Sequence, residues 1–185
     1  MMRGQRQGKR RIRGLVLSPT RELAAQIGER FAAYADRLDL RHQVIFGGVN
    51  QNPQVRALRK GVDILVATPG RLLDLIGQGY IDLSEVEFFV LDEADRMLDM
   101  GFIHDMRTIL GELPPERHTL FFSATMDDKT KGLIHDFMKK PVVISVKKKE
   151  VTDSIEQDVV RYDTRHKYDT LLALLSKPEF SRVII

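Results

Sequence analysis

The sequence predicts an α/β fold, a parallel sheet covered by helices on both faces. Two observations carry that prediction. Short apolar runs of strand length alternate along the chain with longer segments of helical period. Each run also stops abruptly in Gly, Pro, Ser, Thr or Asp, the residues that turn a chain or cap a helix. Right-handed crossovers then bring every strand-to-helix turn to the same carboxyl edge, where open α/β sheets bind ligands.

Taken in order, the chain opens with Arg3, Arg6, Lys9, Arg10, Arg11 and Arg13, a basic tract without acids. Such a tract is a solvated, flexible arm or a direct nucleic-acid contact. Gly14 to Ser18 reads as a buried strand. Pro19 supplies a helix-compatible φ with Ser18 as N-cap, and Leu23, Ile27, Phe31 and Tyr34 recur on one helical face. Gln43 to Phe46 is a second strand ending in Gly47-Gly48, and its helix carries Val55 and Leu58. Asp63 to Ala67 is a third, ending in Thr68-Pro69-Gly70-Arg71 and a helix with Leu72, Leu73 and Ile76. After a loop, Phe88 to Leu91 runs into Asp92-Glu93-Ala94-Asp95. Arg96 to Met100 is a short helical turn, and Phe102 to Leu110 a longer helix broken by Pro114-Pro115. His118 to Phe122 is a strand ending in Ser123-Ala124-Thr125. A helix from Asp127 to Met138 and a strand from Val142 to Val146 follow. Beyond a polar linker, Gln157 to Tyr162 and Arg182 to Ile185 read as strands and Lys167 to Leu175 as a helix.

Composition excludes several classes. The 185 residues are 43% hydrophobic and 30% charged, the balance of an ordinary soluble domain. No apolar run approaches bilayer length, so no membrane partner is expected. There is no cysteine, which excludes disulfides and thiol nucleophiles and suits a reducing, cytoplasmic setting. The five histidines lack metal-ligand spacing.

The rim carries the chemistry. Asp92 and Glu93, adjacent at a strand end, could hold a hydrated divalent cation and activate a water. The same acids would equally favour a helix N-terminus. Pro19-Thr20-Arg21 and Thr68-Pro69-Gly70-Arg71 each offer a hydroxyl, a helix N-terminus and an Arg fork, the makings of a phosphate site. Ordinary helix capping explains either one alone. Gly47 and Gly48 let a backbone approach closely. A row of such sites would follow a sugar-phosphate backbone without reading bases. Ser123 and Thr125 would cap the next helix or relay hydrogen bonds to the neighbouring acids.

In type, order and spacing these motifs resemble the DEAD-box RNA helicases of bacterial type. Pro19-Thr20-Arg21-Glu22-Leu23-Ala24 is similar to motif Ia, Gly47-Gly48 to the GG motif and Thr68-Pro69-Gly70-Arg71 to motif Ib. Asp92-Glu93-Ala94-Asp95 is similar to motif II, Ser123-Ala124-Thr125 to motif III, and the flank Arg96-Met97-Leu98-Asp99-Met100-Gly101-Phe102 agrees. The resemblance implies a RecA-like, P-loop NTPase type of sheet, with ATP and Mg²⁺ as ligands. Asp92 would bind the hydrated Mg²⁺ and Glu93 would orient or deprotonate the attacking water. Asp95, Ser123 and Thr125 would couple the nucleotide state to RNA binding. Pro19, Thr20, Arg21, Gly47, Gly48, Thr68, Pro69, Gly70 and Arg71 would hold an RNA backbone irrespective of sequence. Ribosome-assembly or RNA-decay complexes are the implied setting.

The resemblance also implies parts not found here. Gly8-Lys9-Arg10 does not supply the family's Gly-Lys-Thr phosphate loop, and the adenine-reading Gln motif is absent. The expected organisation is a basic flexible arm over 1–12, a partial first RecA-like domain over 13–147, a linker over 148–156 and the start of a second domain over 157–185. The fold is thus expected to be incomplete at both ends. Such a chain is expected to bind RNA without hydrolysing ATP by itself; the alternative is a non-enzymatic remnant that binds RNA or a partner. His118 to Phe122 would be left as an open edge, or Val142 to Val146 would close it. Exposed core would favour self-association.

Overall fold

The computed structural model describes residues 10–146, 158–178 and 182–183. It divides at Pro141 into two units. In the first, strands β1 (Gly14–Leu17), β2 (His42–Ile45), β3 (Ile64–Ala67), β4 (Phe88–Leu91) and β5 (His118–Phe121) form one parallel sheet in the order β2-β3-β1-β4-β5. β1 is central. Its residues pair level with their neighbours, Leu17 standing beside both Ala67 and Leu91. All four of its residues are buried, as a strand covered on both faces requires.

The two faces are unequal. Leu15, Leu17, Leu65, Ala67, Phe89 and Leu91 point to the larger core. Helices α2 (Asn52–Arg59), α3 (Pro69–Gly77), α4 (Ala94–Asp99), α5 (Ile103–Gly111) and α6 (Asp128–Phe137) all send buried side chains there. Phe137 of α6 stacks on Phe89 at 6.3 Å. The alternate residues Val16 and Val66 face α1 (Arg21–Ala35), alone among the described helices on that side. Ala24 and Gly28 are the residues of α1 buried there. Gly28 is required by proximity, since a Cβ on it would collide with the Val44 side chain. Tyr34, expected on the buried face, is 76% exposed. It sits in the last turn of α1, past the point where small residues hold the helix against the sheet.

Several expectations are corrected. α1 begins at Arg21 with Thr20 as its N-cap, whose hydroxyl accepts from the Leu23 N–H. Ser18 is not the cap: its N–H still bonds Ala67 O, so the sheet ladder runs one residue too far for a helix to start there. Residues 10–12 of the expected arm are packed. Ile12 joins the core, and Arg10 bridges Asp39 and the buried Asp63. Arg11 pairs with Asp82, and Arg13 with Glu87. These cations are engaged at the amino end of the sheet, opposite the rim. Residues 1–9 lie outside the described residues.

In the second unit, residues 142–146 form no strand, and Val142, Ile144 and Val146 are more than four-fifths exposed. Their β-branched composition gives propensity, but a strand needs a ladder neighbour. Residues 158–162 and 182–183 are likewise irregular; 147–157, with the expected linker, and 184–185 lie outside the described residues. A 3₁₀ turn, Thr164–His166, leads into α7 (Lys167–Leu175), the expected helix, which buries no residue. Among the described residues β5 is an edge strand, paired with β4 alone, and it exposes Leu120 and the following Phe122. Of the two expected outcomes for this strand, the open edge is the one seen among the described residues. No helix among the described residues is long and apolar enough to cross a membrane.

Candidate nucleic-acid and nucleotide interface

The strands end flush, and the rim is built on that. Past the last strand residues, Thr68 N–H donates to Ile45 O, Ser18 N–H to Ala67 O, Asp92 N–H to Leu17 O and Phe122 N–H to Leu91 O, all within 2.9–3.1 Å. Neighbouring strands lie about 4.8 Å apart. The strand order therefore sorts the five motifs into two groups. The turns after β2, β3 and β1 stand together on one half of the rim. Those after β4 and β5 stand on the other.

The first group shares an open depression of about 470 Å³. Pro19, Thr20 and Arg21 line it from the start of α1, Gly47 from the turn after β2, and Thr68, Gly70 and Arg71 from the start of α3. Gly48 and Pro69 are not part of this lining. Pro69 is buried as the first residue of α3. Gly48 has φ +75°, and a Cβ there would fall on the Arg21 guanidinium. The second glycine thus makes room for an arginine of the same chain. Gly47 and Gly70 meet nothing within 4 Å of an added Cβ, so the open approach is theirs.

Capping separates the two hydroxyls. Thr20 spends its oxygen on the Leu23 N–H, whereas Thr68, at the head of α3, makes no side-chain cap bond. The start of α3 therefore keeps N–H donors unclaimed by a cap. Arg71 donates from Nη2 to Val49 O at 3.1 Å, and its Nε lies 3.5 Å from Asp74. Its Nη1 is buried and finds no acceptor among the described residues, although the side chain is only 11% exposed. An orphaned guanidinium donor beside a helix N-terminus suits an anionic oxygen. Glu22, which also lines the depression, works against an anion. Met100 and Phe102, from the turn after α4, complete the wall.

The second group is stitched across β4 and β5. Asp95 accepts from Thr125 N–H at 2.8 Å and Thr125 Oγ1–H at 2.9 Å, and from Arg96 N–H at 3.0 Å. Ser123 Oγ donates to Thr125 O, and Ala94 N–H to Phe122 O. Partial burial opposes ionisation of Asp95, but the Thr125, Arg96 and Ser123 hydrogen bonds outweigh it and hold its pKa below the usual carboxylate value. Ser123 and Thr125 do not cap α6; Asp127 does, accepting from Thr130 N–H. Of the two readings of Ser123 and Thr125, the relay to the acids is the one formed.

Asp92 and Glu93 stand at the end of β4. Asp92 Oδ1 accepts from the Glu93 N–H at 3.0 Å. Glu93 itself has φ 49°, ψ 51°, a left-handed conformation costly for a residue with a Cβ. That turn leaves the Glu93 carboxylate exposed and uninvolved in capping α4. No group of three or more acids or histidines suited to a metal exists among the described residues. The donor set therefore fits a cation that keeps most of its water, as Mg²⁺ does, and not an all-protein cage.

Sequence reasoning placed these two groups on one rim but missed Met100, Phe102 and Glu22 as lining residues. The positive φ of Gly101 (+83°) marks the turn that brings Met100 and Phe102 round, and a glycine between two large apolar residues was its signal.

Comparison with known proteins agrees with this geometry. The DEAD/DEAH box helicase family model matches residues 2–133. The DEAD-box ATP-dependent RNA helicase CshA of Bacillus cereus is 44% identical over 178 residues, 95% of this chain and 34% of the relative. CshA of Listeria monocytogenes is 44% identical over 165 residues, 89% of this chain and 32% of the relative. The chain spans about a third of the length of the curated relatives it matches. Among solved structures, the yeast DEAD-box splicing factor Prp28 superposes with a TM-score of 0.66 and 35% identity, over 70% of this chain and 31% of that one. The parallel sheet is thus of the RecA-like helicase kind, and this chain belongs to the DEAD/DEAH box helicase family.

Proposed function

We propose that this chain forms the RNA-backbone-binding and nucleotide-facing rim of an ATP-dependent RNA helicase. The observation that carries this reading is the separation of the rim into two groups joined through one sheet. One is an anion-suited depression. The other is an acid pair linked to a hydroxyl relay. Arg21, Arg71, Thr68 and the backbone at Gly47 and Gly70 would take phosphates and sugars of a single strand, without reading bases. Asp92 would hold a hydrated Mg²⁺ through water, together with nucleotide phosphates. That ion would neutralise charge on the transferring phosphoryl group. Glu93 would accept a proton from the attacking water. Asp95 and Thr125 tie the acid-bearing turn to the turn after β5, a direct route for a change at one to reach the other.

Among the described residues no glycine-rich loop with a lysine stands beside Asp92 and Glu93. We therefore propose that the 185 residues bind RNA but do not hydrolyse ATP by themselves, since phosphoryl transfer depends on positioning and charge neutralisation. The test has two arms. Fluorescence anisotropy with a labelled single-stranded RNA should show salt-sensitive binding that Arg71→Ala weakens. RNA-stimulated phosphate release should not exceed that of Glu93→Gln. Absence of RNA binding refutes the first statement, and release above the Glu93→Gln control refutes the second.

A further inference from the structure

A second depression lies away from the rim. α6 starts at the rim and runs ten residues back, about 15 Å, toward the amino end of the sheet. At its C-terminal end is an open depression of about 520 Å³. Ile134, Met138 and Pro141 line it, together with Lys131, His135, Lys139 and Lys140. None of these lining residues is acidic. α6 carries two stripes. Thr130, Leu133 and Phe137 are buried. Lys131, Ile134, His135 and Met138 follow the i, i+3, i+4, i+7 spacing of one helical face, and Ile134 and Met138 stay only half-buried on it. Lys131 is paired with Asp128, and Asp136 with Arg107, whereas Lys139 and Lys140 make no ion pair among the described residues. Lys140 has φ +50°, in the left-handed region that glycine occupies most cheaply. A lysine there costs the fold what a glycine would not, and what it adds is a charge beside the depression. Arg117 adds another cation at the same helix end. It donates to Pro114 O at 2.8 Å and to Phe137 O at 3.3 Å. Its Nε is buried without an acceptor, and no carboxylate pairs with it among the described residues.

We propose that this depression docks an acidic amphipathic peptide of a partner protein, with an apolar side chain seated on Ile134 and Met138 and carboxylates on Lys139 and Lys140. Charge complementarity selects the acids. A helix C-terminus by itself repels an anion. Here the Arg117 donation to Phe137 O and the two unpaired lysines reverse that sign. The apolar residues select a peptide over a nucleic-acid backbone. A phosphate chain would meet the lysines and gain nothing from Ile134, Met138 and Pro141. Met138, unbranched and polarizable, suits a surface that can take more than one apolar side chain. An apolar stripe on a helix flanked by charge is how short amphipathic segments are held. The site stands at the opposite end of α6 from the rim, so it is independent of the RNA-binding reading.

The intact chain is titrated into three fluorescein-labelled probes. One is a dodecapeptide with leucines four residues apart and glutamates elsewhere; the second has alanines for the leucines; the third is a uridine decamer. The leucine peptide should bind with a Kd below about 1 mM, and the alanine peptide about five-fold more weakly. Lys139→Gln/Lys140→Gln should weaken the leucine peptide about ten-fold, and Ile134→Gln about five-fold. Lys140→Gly gives a readout that a merely structural role would not: the melting temperature should hold or rise while peptide affinity falls about three-fold. Uridine-decamer binding should be unchanged by all of these. Should Ile134→Gln lower the melting temperature, the exposed lysine variants and the alanine peptide decide. No binding of the leucine peptide, equal binding of the two peptides, or indifference to the lysine variants overturns the proposal. So does a loss of decamer affinity matching that of the peptide, which would make the site an RNA contact. A chain that binds the peptide but not the decamer leaves the docking site standing without the RNA reading.

Discussion

Gly48 gives the sharpest prediction, because its two possible roles have different consequences. At φ +75° it occupies a region that costs an L-residue about 1–2 kcal/mol. Replacing glycine by alanine also restricts the unfolded chain, which returns about 0.4–1 kcal/mol. The net backbone cost of Gly48→Ala is then about 1 kcal/mol, or a melting temperature about 2–4 °C lower for a chain of this size. The added Cβ would also fall on the Arg21 guanidinium, the mobile end of an exposed side chain. Arg21 can swing away cheaply, so the fold survives, but the fork leaves the depression. A charge-assisted hydrogen bond is worth about 1.5–3 kcal/mol, so RNA affinity should fall about ten- to a hundred-fold. The salt dependence of binding should lose about 0.7 of a unit in slope, the share of one phosphate on a single strand. Gly47→Ala is the control for the fold: its Cβ meets open space, and the melting temperature should not fall. The decisive assay is a double-mutant cycle by anisotropy and thermal melting. In an Arg21→Ala background, Gly48→Ala should lower the melting temperature as before but cost no further affinity. A full further loss of affinity there would refute the argument that Gly48 acts by seating Arg21.

Other expectations follow from the same geometry. Arg71→Lys retains charge but loses the fork that reaches Val49 O and Asp74, so RNA binding should drop nearly as far as in Arg71→Ala; equal affinity to the unsubstituted chain would count against the fork. Asp95 has a folded pKa below its ordinary 3.8, so its link to Thr125 stabilises the fold above that value and is lost as pH falls through the folded pKa. Amide exchange of Thr125 followed from pH 6 downward should rise only below about 3.8, and should be fast at every pH in Asp95→Asn if the carboxylate's charge matters. The open edge of β5 predicts concentration-dependent self-association. Leu120→Lys should shift light scattering toward monomer, and no shift would place the contact elsewhere.

The parts of the fold legible in the sequence were those written locally. β1 and β3 are apolar runs closed by Ser18-Pro19 and Thr68-Pro69, and the acids of Asp92 to Asp95 announce the end of β4. What packing decides was not legible. The division of the rim into two groups depends on strand order, which crossovers set and periodicity does not. Val142 to Val146 has strand composition but pairs with no strand among the described residues. Arg10 looked solvated because its partners, Asp39 and Asp63, lie far along the chain. In the sequence Gly48 reads as room for an approaching backbone, and in the structure a Cβ there would fall on Arg21. Met100 and Phe102 look like ordinary helix-end residues until the turn at Gly101 brings them to the depression.

Arg71 carries a consequence for how binding is driven. Its guanidinium is already stripped of most water and held by Val49 O and Asp74 before any ligand arrives, with Nη1 finding no acceptor among the described residues. Dehydration and loss of rotamer freedom, the usual penalties of engaging a long cationic side chain, are thereby shifted from the moment of association to the moment of folding. The site is preorganised at the expense of the free protein's own stability. Nη1 is closed to water, so a phosphate oxygen would reach it only with a shift of the Arg71 side chain, and would then satisfy a donor left unmet among the described residues.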